Sequence, residues 1–470
     1  MMTDRNRAAR RFASRAFGQG RHPALVALPL ILGLSWGTPS AAQNSDAGPA
    51  GTEVAMSTGN DAPTWSRDVA PIIQRSCQQC HRPDGIGPMP LLTYEQTVPF
   101  APLIRYRVQQ RIMPPWHLDT TVGIQEYEND ISLSDDEIAT IVQWADAGAP
   151  EGDPADMPPP IEYPPAYEWE LEAELGPPDF VVRSKPFTVV ANGQDQWWDH
   201  TVEFEGLAER RWIRAAEFKP SYPLGVKVVH HGHVRFVQND YRMELVGMGV
   251  GKRWDWLPDG MGKLLLPGPA QISWGLHYFP IGTPVPDDVV EAGVWLYPPG
   301  YEPELSSSGE QRHLIDGTFR TGPRARDLII PPHGYLTLEH AYVLDQPALL
   351  QSFRPHMHMR GTAMSMEAIY PDGRREMLSR VNQYNHNWQI AYIYEDDVQP
   401  LLPRGTVLLF HSQFDNTANN PINPDPDQWV LFGARGVDEM SHAWVGITYL
   451  SEEDYQRLLR ERTRLASDEP

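Results

Sequence analysis

Cysteine is nearly absent from this sequence: the 470 residues include two, Cys77 and Cys80. So few thiols exclude a small disulfide-held fold, a cysteine-rich zinc array and an iron–sulfur ferredoxin. Basic residues are also scarce, with 39 Lys and Arg against 61 Asp and Glu and a formal net charge of -22. This balance excludes nucleic acid as a partner, because phosphate binding requires clustered Lys and Arg.

The sequence also lacks an apolar run long enough to span a membrane. The run at 24–34 is short and contains Pro29, and it follows an arginine-rich segment at 1–22. Small residues at 40–42 then occupy the positions that a signal peptidase recognises. These features predict a Sec-type signal peptide over residues 1–42 and a periplasmic or secreted mature protein. An uncleaved N-terminal anchor is the alternative.

Proline, glycine and aromatic residues are abundant, with 46 Pro, 37 Gly, 15 Trp and 18 Tyr. After residue 180, short β-branched and aromatic runs alternate with Pro and Gly turns, a pattern typical of β-sandwiches. Before that point the pattern is helical, with helices predicted over 102–111 and 134–148. The prolines and acidic residues at 151–178 predict a semi-rigid spacer between these two regions.

Both cysteines belong to one motif, CQQCH at residues 77–81. Thiols at Cys77 and Cys80 can both reach the vinyl groups of one haem, and His81 can then bind the iron. A thioredoxin-like dithiol is the alternative, but it needs a βαβ context that is absent and leaves the histidine without a role. The motif therefore predicts covalently bound haem c.

A methionine is the expected sixth haem ligand, because His–Met ligation is usual in electron-transfer haems. Met113 precedes a proline-rich break and is the first candidate; Met89 is the second. With its haem motif and terminal helices, the segment 62–149 resembles a small class I cytochrome c.

Histidines recur in the predicted strands, at His230, His231, His233, His277, His356 and His358. Residues i and i+2 share one face of a strand, so His356 and His358 can bind the same ion. Imidazoles with a thioether and no thiolate suit copper that cycles between two oxidation states. The pattern predicts copper binding, although a lone strand histidine is more often a core residue. The segment 385–388, between two strands, is a further candidate for lining a metal site.

Four short motifs follow one another in the order and rough spacing of a known family: His230-His231, His277-Tyr278, His356-Met357-His358 and Asp438-Glu439-Met440. Over residues 179–450 the chain resembles the copper type II, ascorbate-dependent monooxygenases, which include peptidylglycine- and dopamine β-hydroxylating enzymes. The resemblance implies two jelly-roll-like sandwiches, each with one copper ion. It implies that His230, His231 and His277 hold the first copper, which relays electrons. It likewise implies that His356, His358 and Met440 hold the second, which binds O2 beside the substrate.

Two assignments stay open. Consecutive residues His230 and His231 point to opposite faces of a regular strand, whereas His231 and His233 share a face. The family uses the consecutive pair, which requires the backbone to bend there.

Arg354 stands where the peptide-hydroxylating branch binds a substrate carboxylate through an arginine; an ordinary salt bridge in a strand is the alternative.

The predicted fold is multidomain: a small all-α cytochrome c domain followed by two all-β jelly-roll-like sandwiches. The predicted units are a signal peptide at 1–42, a linker at 43–62, a haem domain at 63–150, a proline-rich linker at 151–178, copper sandwiches at 179–305 and 306–452, and a charged tail at 453–470.

The predicted function is hydroxylation of a C–H bond of a small-molecule substrate with O2. The cofactors would be two copper ions and a covalent haem c that passes electrons from ascorbate or a redox protein. A copper-binding or electron-transfer protein without hydroxylase activity is the main alternative. A glycan-binding unit joined to a cytochrome is a weaker third hypothesis.

Overall fold

The computed structural model describes the following parts of the chain: residues 62–249, 252–257, 262–302, 319–321, 327–433 and 435–468. Antiparallel sheets form most of the regular structure there and helices are few, so the prediction of a β-rich chain is confirmed. Within the same parts, no helix is long and apolar enough to cross a membrane. The predicted signal peptide lies outside the described residues.

The first described unit is helical. After a π-helical turn at Trp65–Val69 come α1 (Ala70–Ser76), α2 (Tyr94–Thr97), a 3-10 turn (Val98–Phe100), α3 (Ala101–Gln109) and α4 (Asp135–Asp146). The predicted capping box opens α4: the Glu137 N–H donates to the Ser134 hydroxyl at 3.2 Å, and the Ser134 N–H donates to the Glu137 carboxylate at 2.8 Å. Trp65 and Trp144 are buried with ring centroids 6.0 Å apart, and they join the first turn to α4.

The proline-rich linker is hydrogen-bonded to the unit before it and to the unit after it. It contains a 3-10 turn (Pro154–Asp156) and α5 (Glu172–Leu175). The Tyr163 hydroxyl donates to the Gln74 carbonyl of the helical unit at 3.0 Å. The buried Glu217 carboxylate accepts from the Glu170 and Leu171 N–H groups at 2.9 and 3.0 Å. Hydrogen bonds to both neighbouring units thus hold the linker in place.

The first β unit follows the linker. Its elements are β1 (Phe180–Arg183), β2 (Phe187–Val189), β3 (Gln196–Phe204), β4 (Arg211–Pro220), α6 (Pro223–Val228), β5 (Val229–Gln238), β6 (Tyr241–Met248), β7 (Trp254–Trp256), β8 (Lys263–Leu265), β9 (Ala270–Tyr278), β10 (Val285–Asp288) and β11 (Val290–Leu296). One sheet has the order β3-β9-β5-β6 and another β1-β11-β4-β7, with β8 also on β4 and β2 paired to β10. Phe218 of β4 and Phe236 of β5 are fully buried in one core, so the two larger sheets pack on each other.

The second β unit repeats this plan. Its elements are β12 (Phe319–Thr321), β13 (Ile329–Ile330), β14 (Tyr335–Val343), β15 (Ala348–Met357), β16 (Gly361–Ile369), β17 (Arg375–Val381), β18 (Tyr392–Ile393), β19 (Leu401–Leu402), β20 (Val407–Asp415), β21 (Val430–Leu431), β22 (Ser441–Tyr449) and α7 (Glu452–Asp468). One sheet has the order β14-β20-β16-β17 and another β12-β22-β15-β18, with β19 on β15 and β13 paired to β21. Phe353 of β15 and Phe410 of β20 lie in the shared core.

Residues 116–129, which we call the strap, lie inside the predicted haem domain but pack on the second β unit. Leu118 and Tyr127 are part of that unit's core. They form isolated backbone bridges with Val381 and Tyr394. The Tyr127 hydroxyl bonds to the Ser379 hydroxyl at 3.0 Å. The helical unit therefore contributes apolar side chains to a core centred more than 200 residues further along the chain.

Replacing Tyr127 by alanine tests the strap. Tyr127 is 4% exposed and its ring stacks on Tyr394 at 5.3 Å, so the Tyr127→Ala cavity should lower the free energy of unfolding by about 3 to 5 kcal/mol. Chemical denaturation measures this loss, and limited proteolysis should cut the strap faster. Tyr106→Ala on α3 is the control: its side chain is 51% exposed, and a change within about 0.5 kcal/mol is expected. Equal effects of the two substitutions would contradict the packing described.

Candidate metal centre

A bulge in β5 brings the two consecutive histidines to one place. Val229 pairs with Tyr278 of β9, and His231 pairs with His277, so His230 is an extra residue on β5. An extra residue bends its strand and re-aims the side chains beside it. The bend that the consecutive pair requires is therefore present, and His230 joins His231 and His277.

The three imidazoles converge through their Nδ1 atoms. The Nδ1 atom of His277 is 3.4 Å from that of His230 and 3.2 Å from that of His231. All three side chains are buried between strands. In the described part of the chain, these three alone among His, Cys, Asp and Glu form a trio with ligand atoms within 4.8 Å of one another. We call them the first histidine set.

Two hydrogen bonds fix which ring nitrogens face inward. His277 Nε2 lies 2.5 Å from an Asp195 carboxylate oxygen, and His230 Nε2 lies 2.7 Å from the Asn387 carbonyl oxygen. Both acceptors require a proton on Nε2, which leaves a lone pair on each Nδ1. Two lone pairs 3.4 Å apart repel each other, and a cation between them turns that repulsion into attraction. The first histidine set is therefore suited to a metal ion.

The alternative pair of metal ligands, His231 with His233, is not brought together in the structure. Arg235 Nη1 lies 3.0 Å from His233 Nε2 and engages that ring. Gly275 makes room for the same ring, because a Cβ there would lie 2.4 Å from His233 Cε1. The half-exposed Trp197 ring covers the first histidine set, with centroids 5.4 Å from His231 and 5.6 Å from His277.

The second predicted set lies where β15 pairs with β22. His356 is opposite His442 and Met357 is opposite Ser441. His358 directly follows the end of β15 and Met440 directly precedes β22, so the two residues adjoin the same end of this strand pair. His356 Nδ1 lies 2.6 Å from the Gln389 side-chain oxygen, and His358 Nδ1 lies 3.2 Å from the Asp438 carbonyl. These acceptors hold protons on Nδ1, so both rings keep Nε2 for a ligand.

Several buried ionisable groups at the two sets favour their uncharged forms. Burial lowers the pKa of His230 and of His358 to about 4 and that of His386 to about 3, with further lowering by neighbouring imidazoles. Burial also raises the pKa of Glu439, one residue before Met440, well above its usual range. Neutral imidazole is the form that binds metals.

The two sets are neighbours across the interface between the β units. The ring centroids of His231 and His356 are 6.0 Å apart. His386, in the segment between β17 and β18, lies 6.5 Å from His230 and 5.8 Å from His358. The sequence motifs alone gave no indication of this closeness.

Arg354 lies beside the same interface. Its guanidinium stacks on the Trp444 ring at 4.9 Å, and burial lowers its pKa. Gly247 and Gly249 of the first β unit face it, since a Cβ on either would lie 3.7 to 3.8 Å from a guanidinium nitrogen. Among the described residues, no carboxylate forms a salt bridge with Arg354, so the ordinary ion pair considered from the sequence is not seen there.

Cys77, Cys80 and His81 form a turn after α1. The Cys80 and His81 N–H groups both donate to the Cys77 carbonyl, at 3.2 and 2.9 Å, and the two thiols are not joined as a disulfide. Burial raises the pKa of Cys77 to about 12, unlike the activated thiolate of a redox dithiol. His81 Nδ1 lies 3.1 Å from the Met89 carbonyl, which leaves Nε2 for a ligand. Met113 is half-buried just beyond α3.

The loop after His81 contacts the first β unit close to the first histidine set. Lys227 Nζ donates to the carbonyls of Gly85 and Gly87, the latter at 3.1 Å. Gly87 lies against the imidazole, since a Cβ there would be 2.8 Å from His81 Nδ1. Lys227 belongs to α6 and precedes His230 by three residues. The loop after the CQQCH turn is thus hydrogen-bonded to Lys227, and three residues of chain lead from Lys227 to His230 of the first histidine set.

Two supporting residues were not singled out from the sequence. Asp195 lies in the loop before β3, and Gln389 lies in the loop before β18. Neither is part of a motif, and each reaches its histidine only through tertiary packing. The segment 385–388 was a candidate for lining a metal site, and the structure does bring His386 and Asn387 to the two sets.

Comparisons with known proteins give no family. No family model and no curated protein matches the chain. Among solved structures, recombinant N-glycanase F (PNGase F) is 12% identical over 58% of this chain and 96% of its own, with a TM-score of 0.25. PNGase F from Flavobacterium meningosepticum gives the same identity and coverage with a TM-score of 0.24. Allantoicase is 12% identical over 51% of this chain and 74% of its own, with a TM-score of 0.14. Similarity this weak supports no conclusion on fold or function.

Replacing Asp195 by asparagine tests the first histidine set. The substitution removes the carboxylate that orients His277, and loss of such an outer partner lowers metal affinity about 10- to 100-fold. Titration of the full chain with Cu²⁺ against a competing chelator measures the change. Asp199→Asn, at an exposed position of the following strand β3, should leave the affinity unaltered. An unchanged affinity in Asp195→Asn would contradict the role given to the Asp195 carboxylate in orienting His277 for a metal ion.

Proposed function

We propose that the chain is an exported copper-dependent monooxygenase that hydroxylates a C–H bond of a small molecule, with electrons delivered by its own haem c domain. The observation that carries this proposal is the convergence of three buried Nδ1 atoms in the first histidine set, 6 Å from a second pair of histidines. Under the proposal, the β units are jelly-roll-like sandwiches and the helical unit is a class I-like cytochrome c domain.

The donor atoms fit copper. The first set offers three neutral imidazoles, and the second offers His356, His358 and the thioether of Met440. Imidazole and thioether donors without carboxylate or thiolate favour copper over magnesium, calcium or iron–sulfur clusters. Copper supplies one-electron redox chemistry and the activation of O2 when it is bound there.

The surrounding residues hold these donors in position. Asp195 and the Asn387 carbonyl orient two rings of the first set, and Gln389 and the Asp438 carbonyl orient both rings of the second. Fixed orientation of the donors lowers the reorganisation that accompanies each electron transfer. The two sets differ in their donors: three imidazoles would hold a copper ion suited to exchanging single electrons, and the Met440 thioether would favour the cuprous form of the second ion.

Substrate binding is assigned to Arg354. The half-buried Arg354 side chain stacks its guanidinium on the Trp444 ring, and in the described part of the chain no carboxylate forms a salt bridge with it. The carboxylates of Glu244 and Asp255 act on this guanidinium only from beyond salt-bridge distance. A guanidinium that no carboxylate contacts directly is suited to a carboxylate or another anionic group of a substrate. Arg354 also lies two residues before His356, so an anion bound there would place the rest of the molecule beside the second set.

The haem half of the proposal rests on the CQQCH turn. Cys77 and Cys80 would bind the haem covalently and His81 would bind its iron through Nε2. The Met89 carbonyl lies at the Nδ1 edge of the His81 ring, away from the Nε2 atom that would bind the iron. Met113 is therefore favoured over Met89 as the sixth ligand. The hydrogen bonds of Lys227 to the carbonyls of Gly85 and Gly87 would hold the haem-binding loop against the helix that leads into His230.

Metal analysis and turnover of the purified full chain test the proposal together. We expect one iron and two copper ions per chain, and O2 consumption with ascorbate and a panel of small carboxylate-bearing substrates. Cys77→Ala and His81→Ala should slow turnover with a redox-protein donor while both copper ions stay bound. Unchanged turnover in these variants would refute the role of the haem. Bound copper without any product would instead support a copper-carrying or electron-transfer protein.

A further inference from the structure

His386 is a buried imidazole for which the proposed copper ligand sets give no role. It is 2% exposed, and in the described part of the chain neither of its ring nitrogens has a hydrogen-bond partner. Burying a polar ring without partners is unfavourable, so native structures usually satisfy such groups with protein, water or an ion. The side chain therefore requires an explanation beyond packing.

The position of His386 points to the metal sites. Its ring centroid is 5.8 Å from that of His358 and 6.5 Å from that of His230. His386 thus lies beside one ring of each set and is closer to His358 of the second. The ligand nitrogens of His356, His358 and His386 do not all lie within 4.8 Å of one another in the described structure, so an ion shared by them would draw these rings together. A hydrophobic side chain of similar size would fill the same space without leaving two nitrogens unsatisfied.

The backbone around His386 is fixed by both sets. The carbonyl of Asn387 accepts the His230 Nε2–H at 2.7 Å, and the side chain of Gln389 accepts the His356 Nδ1–H at 2.6 Å. Contacts on either side of the interface hold the segment 386–389, so the imidazole of His386 is presented from an anchored backbone. An anchored, oriented ring is what a metal ligand requires.

We propose that His386 is a further ligand of the second copper, as a third imidazole beside His356 and His358. The inference rests on the proposed function, because it takes copper as the metal. It adds a nitrogen donor that the resemblance to known monooxygenases does not supply. It also explains why the segment 386–389 is bonded to both sets.

The test uses the full chain and copper alone. His386→Phe keeps a ring of similar size and removes both nitrogens. We expect the second equivalent of Cu²⁺ to bind about tenfold or more weakly in a chelator competition, while the first binds as before. The EPR spectrum of the second equivalent should lose the coupling of one imidazole nitrogen. His386→Asn, with a smaller polar side chain, gives the same measurements if the phenylalanine variant does not fold.

His340→Phe is the matched control. His340 also has no hydrogen-bond partner on either ring nitrogen within the described residues, and its ring stacks on Phe410 at 5.0 Å, away from both sets. Copper affinity and spectrum should not change in this variant. If the His386→Phe variant binds two copper ions with the same affinity and spectrum as the wild-type chain, the inference is overturned and the proposed function stands. A wild-type chain that binds no copper would overturn the proposed function itself.

Discussion

The site depends on one constraint: uncharged imidazoles must be buried with their lone pairs facing one another. Such rings repel unless something positive lies between them, and Asp195 and the Asn387 carbonyl hold two of them, His277 and His230, at the opposite ring edges. Asp195 comes from the first β unit and Asn387 from the second. The packing of the two β units is therefore part of the site, since separating them would release His230 from its acceptor.

The sequence predicts local structure better than it predicts this packing. The capping box at Ser134 and Glu137 and the β-rich character after residue 180 follow from local patterns, and the structure agrees with both. The bulge at His230 could not be derived from alternation alone, because a one-residue insertion on one strand depends on register with its partner. The strap was also not expected, because its side chains are buried by residues far away in the sequence.

In the candidate site, too, local spacing predicts some residues, and tertiary packing alone brings in the others. Strand periodicity was enough to pair His356 with His358, because residues i and i+2 share a face, but it also paired His231 with His233. His230 and His277 were selected by the resemblance to the copper monooxygenases. Asp195 and Gln389 lie in loops, where position in space bears no simple relation to position in sequence. Their importance appears only from the hydrogen bonds of 2.5 and 2.6 Å that they make to ring nitrogens.

The strap bears on how this chain was assembled in evolution. A helical unit that was simply joined end to end with the β units could be exchanged by recombination at the connecting linker. Here, a break after residue 150 would leave Trp116, Leu118 and Tyr127 exposed on one fragment and an open core on the other. The parts have consequently become interdependent, and a homologous chain that lacks the helical unit would need a different cover over the sheet edge near Val381 and Tyr394.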